Sequence, residues 1–261
     1  MTVPAATAVN MEFKGDMTMK QSQKLHKVKI KCLVCKSDKL NLDEEIAVKC
    51  NLCKQEFEAD TTCENSHYVC HTCRQKAARE EIIRYCLASK QANPYSLMLE
   101  LMKLPDTAMH GPEHHLLLPA ALLTALCNTK GRTDLAALLE EANNRSLQVP
   151  GGACGNWGIC GAAIGAGIFS SIIIESSPYA EKEWKSCGQL TSKCANAISK
   201  QGGPRCCKRD SYTALKEAII YCNKQLKTDF SIPGPIECRF YANNKECKGR
   251  KCQFFPLPKV G

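Results

Sequence analysis

Beyond residue 74 the chain alternates apolar and polar positions with a helical period, and the breaks fall where helix stops belong. Ala78, Ile82, Tyr85 and Cys86 recur on one face and predict a helix over residues 74–89. Asn93-Pro94 ends that stretch and opens a short helix through Leu101 to Pro105. Pro112 and Glu113 have first-turn character for a helix reaching Cys127, with Pro119 expected to bend or restart it. Thr133 or Asp134 starts another, ending near Asn144. A glycine-rich loop over residues 150–158 leads into an apolar helix at 159–174, and Pro178 to Lys200 forms the next helix. Asp210 or Ser211 is expected to cap the last one, which runs through Lys227. The remaining segment, with prolines from Pro233 onward and three cysteines, is not expected to be helical.

Residues 26–75 have little apolar material, so a core cannot hold them. The pattern therefore predicts a mainly α protein: a flexible leader at 1–25, a metal-stabilised module with its following helix at 26–90, and a helical cysteine-rich domain at 91–261. The apolar 159–174 stretch is shorter than the roughly 20 residues of a membrane-spanning helix, and its glycines and serines suit close packing.

Composition matters chiefly through cysteine, of which there are 19 among 261 residues. Residues 1–31 lack the apolar core and cleavage site of a secretory signal, and the cysteine count is odd. Thiols used for metal in a reducing cytosol are the expectation, in an anaerobe if iron and sulfur are involved. The formal charge of +9 permits an anionic partner, nucleic acid included, although metal-bound thiolates would offset it. Lys14, Lys20, Lys24, Lys27, Lys29 and Lys31 concentrate that charge ahead of the first cysteine, without aromatic residues for base stacking.

Seven cysteines and one histidine stand in four pairs: Cys32-x2-Cys35, Cys50-x2-Cys53, Cys63-x3-His67 and Cys70-x2-Cys73. Each pair can place two donors on one ion, and two tetrahedral zinc sites need four pairs. The order resembles RING and treble-clef double-zinc modules, in which alternating pairs share an ion. That resemblance implies Cys32, Cys35, Cys63 and His67 on one zinc and Cys50, Cys53, Cys70 and Cys73 on the other. A zinc ribbon of Cys32, Cys35, Cys50 and Cys53 is the open alternative. Closed four-ligand sites build a fold and leave no position for chemistry.

His110-x2-Glu113-His114 matches the letters of an inverted zinc-peptidase motif. Gly111-Pro112 inside the spacing puts His110 ahead of the helix, which argues against that chemistry. His110, Glu113 and His114 remain candidates for proton transfer in a pocket.

The later cysteines are less regular. Cys154 and Cys160 flank a glycine-rich loop at a helix start, where backbone can approach an anionic iron–sulfur cluster. Cys206 and Cys207 sit among Arg205, Lys208 and Arg209, which are expected to favour the thiolate. Cys187 and Cys194 lie two turns apart, so at least one is expected in the core. Cys238, Cys247 and Cys252 resemble part of a Cys3His RNA-binding finger, but Pro256 stands where the histidine belongs. A fourth ligand must come from elsewhere, such as Cys222, or the trio holds a cluster.

The Met109–Ala120 stretch, the Gly151–Gly165 loop and Gly-Pro-Arg-Cys-Cys-Lys-Arg at 203–209 together resemble an uncharacterised cysteine-rich family of methanogens and anaerobic bacteria, sometimes fused to methyltransferases. The likeness covers most of residues 60–256. Cys160-Gly-Ala-Ala-Ile-Gly is also similar to a motif of redox-active proteins. These resemblances imply a cytoplasmic protein with zinc and an iron–sulfur cluster, and a redox, sulfur-handling or methyl-transfer-linked role beside a redox partner or methyltransferase. Cys154, Cys160, Cys206, Cys238, Cys247 and Cys252 are then cluster candidates, with Cys206, Cys207 and the histidine group as the working residues. The alternative is a non-catalytic zinc protein that binds nucleic acid or a partner protein.

Overall fold

A computed structural model describes residues 31–256. The expected leader and five of the six N-terminal lysines lie outside the described residues.

The module is an antiparallel hairpin, β1 (Lys39–Lys49) and β2 (Glu56–Cys63), pairing Lys39 with Cys63 and Lys49 with Glu56. The register is irregular between Asn41 and Ile46. Its apolar cluster is minimal: Cys50, Val69 and Cys70, with Leu33, Phe57, Tyr68 and Cys73 against them. A core of that size cannot offset the entropy of ordering the chain. The hairpin was not anticipated from sequence: Leu40 and Leu42, and Phe57 and Ala59, do alternate with polar residues, but Asp43-Glu44-Glu45 interrupts the first strand where the register is irregular.

Eight α-helices follow among the described residues: α1 (His71–Ala88), α2 (Pro94–Lys103), α3 (His114–Lys130), α4 (Leu135–Leu147), the single turn α5 (Ala153–Asn156), α6 (Gly161–Ile173), α7 (Glu181–Ser199) and α8 (Cys207–Gln225). Most bounds agree with the periodicity. Asn93 caps α2 by accepting from Ser96 N, and Pro94 occupies the first turn, where its missing N–H costs nothing. Helix α3 runs on through Pro119 without restarting. The expected cap of α8 is corrected: Cys206 is the cap, its sulfur accepting from Arg209 N, and Asp210 lies in the first turn. Asp210 is occupied with Arg209, 2.8 Å away, so it is not free to cap.

Helix α3 is buried at every position from His114 to Cys127 and packs against α1, α2, α4, α6 and α8. A helix apolar on all sides must lie at the centre of its domain. Helix α6 crosses it at Gly165, where a Cβ would stand 3.0 Å from the His115 carbonyl and 3.1 Å from Pro119 Cδ. Pro119 has no N–H for that carbonyl, and the bare glycine lets α6 approach the gap. The C-terminal segment folds back over α8, placing Phe230, Ile236 and Phe254 in the same core, with Phe254 edge-on to Tyr212. Among the described residues, no helix is long and apolar enough to cross a membrane.

Candidate metal centres and an adjoining cavity

The Cys-x2-Cys segments preceding β1 and joining the two strands fold alike. In each, the first cysteine's carbonyl accepts from the residue four on, Lys36 N or Lys54 N at 3.0 Å. Its own N–H donates to Ser37 O or Gln55 O at 2.8 Å. Lys36 and Lys54 take positive φ, 60° and 64°, which closes the turn and turns both sulfurs to one side. Between Cys63 and His67, Ser66 (φ 56°) closes a similar turn. The fourth pair, Cys70 and Cys73, stands at the start of α1.

The pairs alternate. Cys32, Cys35, Cys63 and His67 bring their donor atoms within 4.8 Å of one another, and so do Cys50, Cys53, Cys70 and Cys73. This is the cross-braced arrangement and excludes the ribbon. Either set could hold a metal ion. The surroundings favour thiolate at some positions: Ser37 and Asn65 hydrogen bonds hold Cys35 down to about 5. At Cys50, burial opposes ionisation, but the N–H groups of Cys70, Cys53 and Leu52 bring it to about 6. His71, between two ligands, is exposed.

A second gathering of cysteines lies in the helical domain. Cys206, at the cap of α8, joins Cys238, Cys247 and Cys252 around a cavity of about 20 Å³, walled by Phe254, Phe255 and Tyr241. Cys206 thus supplies the fourth thiol that the C-terminal trio lacked. Cys222 does not, being fully buried in the core. Backbone N–H groups point at three of these sulfurs: Arg209 N to Cys206 (3.5 Å), Phe240 N to Cys238 (3.4 Å) and Gly249 N to Cys247 (3.4 Å). Among the described residues, only the two N-terminal sets have donor atoms within 4.8 Å, so this quartet is spaced more widely.

The flanking cations do not act as expected. Burial raises Cys206, and it pushes Cys207 up to about 11. Lys208 turns into the core, where its ammonium donates to Met102 O (3.2 Å) and lies 4.8 Å from the Phe240 ring centre. Arg209 is committed to Asp210, which leaves desolvation as the larger effect on the thiols. Cys187 and Cys194 donate to the carbonyls of Gly167 and Ala214, which makes both of them packing residues.

Vicinal Cys206 and Cys207 face different spaces. Cys207 lines a larger cavity of about 360 Å³ together with Cys154, Cys160, His110, His114 and His115. The histidine group and the loop cysteines are therefore brought together, apart from the four-thiol chamber. His110 precedes α3, as the intervening Gly-Pro requires, and its Nε2 lies 3.1 Å from Asn244 Oδ1. It shares no ion-sized site with His114, so the peptidase geometry is absent among the described residues. Glu113 is 2% exposed, with Oε1 3.3 Å from His114 Nδ1 but without a hydrogen bond. Sequence reasoning missed Asn244 and Ser211. Neither stands in a recognisable spacing, and only the fold brings them to these sites.

His115 donates from Nδ1 to Val149 O (3.1 Å), and burial lowers it to about 4. The unfolded chain then takes up a proton near pH 6.5 that the folded chain refuses until about 4. Stability is complete above 6.5 and falls as pH drops through that window, by about 3 kcal/mol. Urea denaturation followed by helical circular dichroism should show this slope, and His115→Gln should flatten it. An equal slope in both proteins would remove His115 as its origin.

No curated protein and no solved structure matches the chain. Residues 82–255 match the model of a family of unknown function, DUF5714, which takes in the helices from the second half of α1 onward, the four-thiol chamber and all of the larger cavity's lining except His71 and Gln75, but not the cross-braced module. The chain belongs to that family.

Proposed function

We propose that this protein is an iron–sulfur protein with a structural double-zinc module, and that its cluster serves redox chemistry on a molecule bound in the neighbouring cavity. The observation that carries this reading is the quartet of Cys206, Cys238, Cys247 and Cys252. A tetrahedral zinc draws four sulfurs together at about 2.3 Å each, as the N-terminal sets are poised to do. Among the described residues, the C-terminal quartet has no such compact set of donors. Cysteines set further apart than a zinc set, with N–H groups aimed at three of them and aromatic side chains beside them, suit a polynuclear cluster.

When bound, such a cluster supplies one-electron transfer. The chain's own residues do the rest. Arg209, Phe240 and Gly249 direct N–H groups at the sulfurs and would offset their charge. Asn244 Nδ2 points to Cys206 Sγ (3.7 Å) while its Oδ1 faces His110. Cys207 N donates to His110 Nδ1 (3.5 Å), which places the histidine proton on Nε2, toward Asn244. A hydrogen-bonded path thus runs from the chamber to the cavity. Cys154 and Cys160 belong to the cavity and are not assigned as cluster ligands. A redox partner, or a methyltransferase served by the bound molecule, fits this arrangement.

Anaerobic purification with metal and sulfide analysis tests the reading. About two zinc ions and a cluster with iron and sulfide in equal amounts are expected, with a visible charge-transfer band. Cys238→Ser should abolish iron and leave zinc unchanged. Zinc in the C-terminal quartet, with no acid-labile sulfide, would reject the cluster.

A further inference from the structure

The 360 Å³ cavity has features that a solvent pocket does not need. Helices α3, α6 and α8, of 17, 13 and 19 residues, all begin at its wall. Their N-terminal dipoles therefore converge, and positive potential accumulates where they meet. Two of its lining side chains are fully buried with a polar atom left unbonded: His114 Nε2 and Ser211 Oγ, on residues 1% and 0% exposed. Native proteins rarely leave such groups unpaired, because each costs about 1–3 kcal/mol. A ligand that completes them removes that cost.

The two atoms ask for different partners. His114 Nδ1 lies 3.1 Å from Gly111 O, and a carbonyl only accepts, so the ring proton is on Nδ1. Its Nε2 then offers a lone pair and needs a donor. Ser211 Oγ can donate to an oxyanion. Arg205 stands exposed at the rim, and the buried Arg79 and Lys208 lie behind the histidines. The opposing carboxylates are Glu113, behind the histidines with Arg79 and Lys208, and Asp210, held by Arg209 at 2.8 Å. Of the side chains that line the cavity, Arg205 is the cation and Asp210, paired with Arg209, the carboxylate, so the positive bias comes from Arg205 and the helix N-termini.

We propose that this cavity binds a small oxyanion that also carries a hydroxyl donor, such as a hydrogen phosphate group or a hydroxycarboxylate. The oxyanion accepts from Ser211 and sits at the meeting of the helix N-termini, while its hydroxyl donates to His114 Nε2. The ligand class deepens the redox reading of this same cavity and rests on it only for the chemistry after binding. Binding itself needs no cluster.

Calorimetric titration of the full-length protein with inorganic phosphate, sulfate, glycolate and acetate tests the proposal. Phosphate or glycolate should bind with a dissociation constant of about 1 mM or tighter. The matching ion without a hydroxyl, sulfate or acetate, should bind at least about tenfold more weakly, the value of one charge-assisted hydrogen bond. Which pair shows the contrast distinguishes a phosphate from a carboxylate ligand. Ser211→Ala and Arg205→Ala should each weaken binding about tenfold with iron content as in the parent, and Ser211→Ala, which removes the unbonded hydroxyl, should leave the ligand-free protein at least as thermally stable. Absence of binding by both phosphate and glycolate overturns the proposal, as does equal binding of the hydroxyl-free ions. Binding undiminished in both variants places the ion elsewhere and equally overturns it. Anion binding by a protein without iron would support the cavity and sink only the cluster, so the two failures are separable.

Discussion

Stripping metal from the protein with a strong chelator should unfold residues 31–69 and leave α2 to α8 folded. The hairpin carries two cross-braced sets of donors that could each hold a metal ion, and its own apolar cluster is a handful of side chains. Apparent metal-binding free energies of about 10–16 kcal/mol in zinc-finger peptides show how much of such a fold resides in the ligand bonds. The helical core is independent of them, built from α3 and the helices packed on it. Cys50→Ser should reproduce the effect, because Cys50 is fully buried between the strands and Tyr68 and belongs to the second set. Limited proteolysis read by mass spectrometry should then show cleavage confined to residues before α1, together with metal loss. Cys86→Ala is the control: that thiol is buried in the helical core, outside both sets, and should cost only about 1 kcal/mol with metal content unchanged. Persistence of hairpin protection after complete metal removal would show that the strands hold themselves.

The range of each signal explains why some of this was legible in sequence and some was not. The helices were readable because their information is local: a 3.6-residue apolar period and Asn-Pro at a helix start. The ligand pairs were readable because Cys-x2-Cys is itself a local geometry, closed by a turn at Lys36 or Lys54. Their pairing was legible only through resemblance, since spacing alone left the ribbon open. The alternation in the hairpin strands is short and broken by Asp43-Glu44-Glu45, so it was overlooked. The C-terminal site was half visible: three cysteines suggested a ligand set, but Cys206 lies 32 residues before Cys238 and joins them only because the tail folds over α8. Electrostatic reasoning from neighbours failed at Cys206 and Cys207. Basic residues next in sequence were read as next in space, whereas helix geometry sends Lys208 into the core and Arg209 to Asp210.

Arg79→Met should destabilise the helical domain by about 3–5 kcal/mol, the range for removing one partner from a buried charged network. Arg79 is 4% exposed and lies on α1, nearly two turns beyond Cys73 of the second candidate metal set. Its guanidinium donates to Ser146 Oγ (2.7 Å) and Asn143 Oδ1 (3.1 Å) on α4, and to Pro112 O (3.0 Å) ahead of α3. Methionine replaces the stem and removes every donor, leaving Ser146 Oγ and Asn143 Oδ1 without the guanidinium, Pro112 O with only its His115 N–H bond, and Glu113 with Lys208 but not Arg79 as a neighbouring cation. Arg79→Lys keeps the charge but cannot span three acceptors with one ammonium, so an intermediate loss is expected. The damage should also be directional. Pro112 is part of the cavity wall, and α1 carries Cys70 and Cys73 at its other end, so one side chain ties the metal module to the histidine loop. Hydrogen exchange should rise in residues 110–113 and in α4 before it rises in α6 or α8. A variant within about 1 kcal/mol of the parent, with the loop still protected, would mean that apolar packing of Ile82 and Cys86 alone seats α1 on the domain, and that the guanidinium network is dispensable.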